Sequence, residues 1–449
     1  MKHFRLVMLL AFALGPVCSS PAQFTFPGGL GNQGAGIVID AEGVVDLAPQ
    51  RGLSPVAARK QIEQFARSQL SRELITPSSQ RVVSLKQIAA RLQAGGSPEQ
   101  KQSAELLWLA GLWRLEKVVF DQTAGDIYLI GPGEAFGPDQ SGRMVGQSNG
   151  RPVLRLDDLL TVLRRPSNGD RTIGCSIDPR PENMARLQEY LRQNSYPASS
   201  QAVQQRFRVM AEVLGPQNIR LWGVPEQSHF AIALVEADLR MKRISMGSDS
   251  AGVPGIRSHL SLLKPQGNSL QRWWFVPSYD SIQCDAGKTV FQWTGLRAQL
   301  LAQEEISDST GERSNAASTR QSTEKFARLF SDRFEELASR NPAFSELQGL
   351  YDLALAGELI RRHAGPLGHS AWMTVLLDAG RVPLPESAVP RSVPSTSTFR
   401  MAGSSLLGLV GGVTMDVEQV IDRTEVNSQL TPESAAKVMA PGQLFGDMD

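Results

Sequence analysis

Cysteine is close to absent: Cys18, Cys175 and Cys284 are the three in a chain of 449 residues. So few thiols exclude a disulfide-dense scaffold and a zinc site built from a cysteine cluster. Histidine is sparse as well, with five. No H-E-x-x-H pair or calcium loop occurs, and His363 and His369 are separated by Gly365-Pro366 rather than by one helical turn, so no metal site is expected from a local motif. Charge of one sign is missing too. Lys and Arg number 46 against 45 Asp and Glu, which excludes a nucleic-acid scavenger or an acidic solvating chain. There is no Walker loop, because Gly131-Pro132-Gly133 lacks the lysine and the helix start that phosphate binding needs. Beyond the first 22 residues no apolar run approaches the roughly 20 residues of a membrane span. What remains is 41% hydrophobic and 20% charged, a globular composition long enough for two or three domains.

Residues 1–22 read as a cleaved secretory signal peptide. Lys2 and Arg5 precede an apolar run from Leu6 to Leu14, Gly15-Pro16 breaks it, and Ser20-Pro21-Ala22 supplies a small-x-small exit. Cleavage after Ala22 leaves Gln23 first. Lipid attachment at Cys18 is disfavoured, since Pro16 and Val17 stand where small residues are required. Without that leader 44 basic residues face 45 acidic ones, so the processed chain carries −1. Cys175 and Cys284 remain, and an exported chain permits them to pair. A bridge closing roughly 110 residues would stabilise the fold by about 3–5 kcal/mol, and two separately buried thiols are the alternative.

The pattern predicts an α+β fold of mixed helices and β-hairpins. The main region is 23–300, with a break near 166–175. Gly36–Leu47 reads as a hairpin, and Ser54-Pro55 and Ser84 with Gln87 open helices. Ser97-Pro98 repeats the device for a helix through Trp108. Residues 115–131 read as paired strands, and short helices carry Leu156–Leu163 and Met184–Leu191. Another helix runs from Val203 to Leu214, with Gly215-Pro216 as its stop. Ile219–Val224 and Phe230–Glu236 are expected as a second hairpin, and Arg272–Val276, Ser281–Cys284 and Thr289–Trp293 as further strands. Glu304–Thr319 reads as a polar connector. Phe326–Leu337 and a helix opened by Asn341-Pro342 form an antiparallel helical pair over 318–365. Residues 381–399 read as a Pro/Ser-rich linker. In 400–449, Leu406–Val417 reads as a hairpin about Gly411-Gly412, followed by an acidic tail.

No chemical constellation outweighs its structural explanation. Ser248-Asp249-Ser250-Ala251-Gly252 is near the esterase elbow G-x-S-x-G, with His259 downstream. It lacks the first glycine, and no acid lies between Ser250 and His259. Glu236 and Asp238 would share one face of a continued strand, roughly 6.5–7 Å apart, a spacing usable for glycoside chemistry. The plainer reading makes Asp238 a helix cap among Arg240, Lys242 and Arg243. Binding is harder to set aside. Trp222, Trp273, Trp274 and Trp293, with Phe275 and Tyr279, fall in or beside strands, and Trp273 and Trp274 must face opposite ways. Either both sheet faces are covered, or one tryptophan belongs to a platform for a glycan or peptide. Arg257, Lys264, Arg272 and Arg297 make that stretch locally basic.

The strings LAGLWRLEKVVF (109–120), GRPVLRLDDLL (150–160), GCSIDPRPE (174–182), EADLRMKRISMG (236–247) and GGVTMDV (411–417) together resemble an uncharacterised family of exported bacterial proteins, known as a domain of unknown function. The resemblance covers most of 35–420. It implies an exported bacterial protein with one large shared region and carries over no site residues.

The expectation is therefore a secreted, periplasmic or other cell-envelope protein with a structural, assembly or ligand-binding role. Its partner would be an envelope glycan, peptide or protein, not nucleic acid. The alternative is a secreted hydrolase acting on an envelope ester, peptide or glycan. No catalytic, cofactor-binding or metal-ligating residue is assigned, no cofactor is expected, and the oligomeric state is left open.

Overall fold

The structure, a computed structural model, describes residues 36–48, 54–94, 103–166, 172–194, 200–262, 269–308, 310–395, 407–431, 439 and 442–448. The expected signal peptide, Cys18, the expected Ser97-Pro98 helix start and residues 396–399 of the expected linker lie outside them. The fold is α+β. One seven-stranded sheet has the order Arg313–Asn315, Arg297–Ser307, Ser269–Ser278, Leu407–Met415, Ile173–Asp178, Gln217–Trp222 and Ser392–Val393. Neighbours run antiparallel except Ser269–Ser278 beside Leu407–Met415. A second sheet has the order Glu425–Val426, Gln283–Cys284, Val290–Gln292, Lys117–Asp121, Asp126–Gly133, Ser78–Ser84 and Phe445–Asp447. Two short hairpins, Ile37–Ile39 with Val45–Leu47 and Phe136–Pro138 with Met144–Gly146, complete the described β structure.

Helix Pro342–His363 is the axis of the core. Asn341 Oδ1 accepts from the Ala343 amide, Pro342 takes the first turn, and Arg361, Arg362 and His363 face the carbonyl end. Every residue from Ala343 to Ile360 is buried, so the helix is apolar nearly all round, as an interior helix must be. Gly349 and Gly357 allow Leu154 and helix Leu156–Leu163, respectively, to approach closely: a Cβ there would sit 2.7 Å from Leu154 Cδ2 and 2.9 Å from Val162 Cγ2. Phe326, Phe330, Phe334 and Phe344 close round Phe275 and Trp273, with centroids 5.1–6.2 Å apart. Burial of each such ring contributes about 1.5–3 kcal/mol.

Several expectations are corrected. Phe230–Glu236 is not a strand but the first half of helix His229–Met246, whose cap Ser228 accepts from the Ala231 amide. Glu236 and Asp238 therefore do not share a strand face, and Asp238 is mid-helix rather than a cap. Glu304–Thr319 is not a connector throughout, because Arg297–Ser307 and Arg313–Asn315 are paired strands. The helix expected over Phe326–Leu337 is two, Gln321–Asp332 and Phe334–Arg340, meeting at Arg333. Leu407–Met415 is one continuous strand inside the first sheet, not a hairpin or part of a separate C-terminal β segment. Ser392–Val393, within the expected linker, pairs with Gln217 and Asn218.

Cys175 and Cys284 are both free and buried, in different sheets. Burial pushes both thiols above their ordinary pKa. A maleimide should label neither in the native protein and both in urea. Labelling before denaturation, or an electrophoretic shift on reduction, would contradict this arrangement.

Candidate functional site

Alternation along the first sheet sorts its residues into an inner and an outer face. Ile173, Cys175, Ile177, Trp273, Phe275, Val413 and Met415 point into the core. The registers Trp274↔Leu301, Trp274↔Gly412, Gly412↔Ser176 and Ser176↔Arg220 put those residues on the opposite face. That face is incompletely covered: Trp274 and Trp222 are half-buried, and Arg220, Arg272 and Leu301 are exposed. Of the four tryptophans singled out by sequence, Trp273 and Trp293 are therefore interior and Trp222 and Trp274 belong to the outer side. Trp222 Nε1–H donates to Thr172 Oγ1 at 3.0 Å, and the Arg272 guanidinium lies over the Trp274 ring at 4.9 Å.

At one end of this face lies a recess of about 500 Å³, lined by Asp178, Arg220, Arg272, Glu305 and the turn and edge strand Gly311–Asn315. Glu305 organises it from beneath. Its side chain is 6% exposed, Oε1 lies 3.4 Å from Arg272 Nη1, and Oε2 lies 3.5 Å from Arg313 Nη1. Arg313 also reaches Asp178 Oδ1 at 3.1 Å. The turn is preformed: Asp308 Oδ1 accepts from the Thr310 hydroxyl and from the Thr310 and Glu312 amides, which holds its carboxyl below the usual range. Gly311, at φ +87°, brings the backbone against Pro181 where a Cβ would strike the Pro181 carbonyl. Arg272 and Arg313 are thus fixed by carboxylates, whereas Arg220 makes no ion pair among the described residues. A guanidinium presents a planar fork of donors suited to a carboxylate or phosphate.

The other candidates lie inside. His229 Nδ1 is 2.8 Å from Asp158 Oδ2 and its Nε2 3.5 Å from Glu346 Oε1. Glu346 Oε2 accepts from Arg143 Nε at 3.0 Å, and Arg143 continues to Glu236, which also accepts from the Gly36 amide at 2.7 Å. Burial and Arg155 oppose charge on His229, but Asp158 and Glu346 outweigh them, so its pKa lies above the ordinary value. Burial likewise raises Glu346 against the pull of Arg143. These side chains are 8% exposed or less and tie hairpin 136–146 to helices 156–163, 229–246 and 342–363.

Asp238 is separate, 2.8 Å from Lys242 Nζ, and burial pushes its pKa up to about 6. His259 is buried edge-on to Trp273 at 4.8 Å and Phe326 at 6.3 Å. Ser250 is exposed, its Oγ accepting from the Gly252 amide, while Asp249 is held by Arg243 at 2.9 and 3.0 Å. Gly131-Pro132-Gly133 lies in strand Asp126–Gly133. Among the described residues no group of three or more His, Cys, Asp or Glu is placed to hold a metal ion, and no helix is long and apolar enough to cross a membrane.

Sequence reasoning brought Arg272 forward through local basicity but missed Asp178, Arg220, Glu305 and Arg313, whose registers meet only in the folded sheet. Residues 175–259, which contain Asp178 and Arg220, match a family model described as a protein of unknown function (DUF1598). No curated protein and no solved structure matches the chain. Over that stretch the chain is similar to an uncharacterised domain-of-unknown-function family, and Asp178, Pro179, Pro181 and Arg220 of the recess come from it.

Proposed function

We propose that this is an exported bacterial cell-envelope protein that binds an anionic ligand, a carboxylate- or phosphate-bearing glycan or peptide, in the recess beside Arg220. Export rests on the charged start, short apolar run and Ser20-Pro21-Ala22 exit of residues 1–22. Binding rests on one observation above the others. Arg220 is an exposed guanidinium with no carboxylate partner among the described residues, beside a preformed recess whose other two arginines are already neutralised. An anion there gains charge-assisted hydrogen bonds without breaking an existing ion pair. The Trp274 ring, stacked against the Arg272 guanidinium at 4.9 Å, holds that arginine in the recess wall.

Titrating the protein with anionic cell-wall fragments should change Trp emission and saturate. Arg220→Ala should weaken that binding at least ten-fold, a loss of about 1.4 kcal/mol or more, with an unchanged melting temperature. Equal binding by wild type and variant would remove the recess from the reading.

A further inference from the structure

We propose that the edge of strand Ser78–Ser84 on which Phe445–Asp447 pairs is a peptide groove that reads the segment Leu444–Met448, and that a second copy of this chain supplies the same segment in trans. Within one chain the segment already fills the groove. Phe445, Gly446 and Asp447 pair antiparallel with Val83, Val82 and Arg81, and the Ser84 amide donates to the Leu444 carbonyl at 3.0 Å. Backbone pairing supplies affinity and the side chains supply selectivity. Arg81 is the reading residue. It is fully buried, its Nε donates to Asp447 Oδ1 at 2.9 Å, and its guanidinium lies 5.3 Å from the Phe445 ring centroid. Leu444 is 1% exposed in the core, and Met448 packs on a small apolar cluster that includes Val82 and Ile130.

The socket does not depend on its occupant. Arg81 also donates to the carbonyls of Thr76 at 2.5 Å, Ala110 at 3.0 Å and Leu74 at 3.4 Å, so it stays oriented when Asp447 leaves. The emptied edge would present unpaired backbone and an uncovered apolar cluster, the condition under which strands add in trans. Topology permits a second copy as donor. Glu425–Val426 and Phe445–Asp447 are the opposite edges of the same seven-stranded sheet, about 29 Å apart at ~4.8 Å per strand. The 18 residues between them can span up to about 60 Å when extended. The segment therefore has reach to spare, and its contacts in a neighbour would be the ones it makes in its own chain.

The test uses full-length protein carrying Leu444→Ala and Asp447→Ala, which weakens the resident segment, and a fluorescein-labelled peptide of residues 442–449. The variant should bind this peptide at least 100-fold more tightly than wild type, whose own segment competes at high effective concentration. A peptide bearing Asp447→Ala should bind at least ten-fold more weakly. Asp447→Ala alone, which disturbs the core less, should give intermediate binding. Two differently tagged wild-type chains refolded together at high concentration should co-purify, and the same mixture of the double variant should not. Absence of peptide binding by either variant with a wild-type near-ultraviolet spectrum overturns the groove. Refolded wild-type chains that sediment only as monomers overturn the second copy as donor.

Discussion

Asp352→Ala should lower the stability of the protein by about 3–5 kcal/mol, measured by urea denaturation. Asp352 is fully buried at the middle of helix Pro342–His363 and gathers four donors. Oδ1 accepts from Trp293 Nε1 at 3.0 Å, Arg297 Nε at 3.1 Å and the Tyr279 hydroxyl at 3.2 Å, and Oδ2 accepts from the Leu115 amide at 3.0 Å. Arg297 is 3% exposed, sits at φ +68°, and spends its remaining donors on the Gly295 and Leu115 carbonyls. Removing the carboxylate leaves a buried cation uncompensated and three further donors without their acceptor. Adding Arg297→Met should recover part of the loss, since the unpaired charge then leaves as well. A single-variant loss below about 1 kcal/mol, or no coupling between the two changes, would show that the cluster does not hold the helix to both sheets.

His259→Gln should abolish an acid-sensitive contribution of about 3 kcal/mol. Burial, with Arg320 nearby, lowers the pKa of His259 to about 4, against an ordinary value of 6.5. The native state holds this imidazole neutral between Trp273 and Phe326, with Nε2 3.4 Å from Thr323 Oγ1. Its folded pKa is depressed, so the contribution is present above pH 6.5 and is lost as pH falls toward 4. Asp238 works the other way. Its folded pKa of about 6 lies above the ordinary 3.8, so its contribution is largest at low pH and is lost as pH rises through 6. The two oppose each other in one window, and the histidine contribution is read from the difference between variant and wild type. The variant should gain on wild type steadily from pH 7 to pH 4. Parallel stability curves would mean that His259 is protonated, or open to water, in the native state.

Local chemistry made much of the fold legible. Ser54, Ser84 and Asn341 are helix caps because their side chains meet amides two or three residues on, and Asp121 and Asp285 bind the turns that join neighbouring strands. Burial hid the rest. Phe230–Val235 is apolar on every side because this part of its helix is covered on every side, which erases the period that separates helix from strand. Glu304 and Glu305 read as loop residues, yet both are buried in a strand and neutralised by Arg320 and Arg272 from other elements. The recess was illegible for the same reason, since its arginines come from positions 220, 272 and 313 and share a face only through strand register.

Strand Leu407–Met415 lies between Ser269–Ser278 and Ile173–Asp178, so the first sheet cannot close until the ribosome has passed residue 415. At 5–20 residues per second, its neighbours wait on the order of 10 s with unpaired edges. Refolding is slowed by this parallel pairing between distant segments, the kind that raises contact order most. Through that interval the nascent chain is open to chaperones and prone to edge-to-edge aggregation, and a truncation that stops before residue 407 would leave it so permanently.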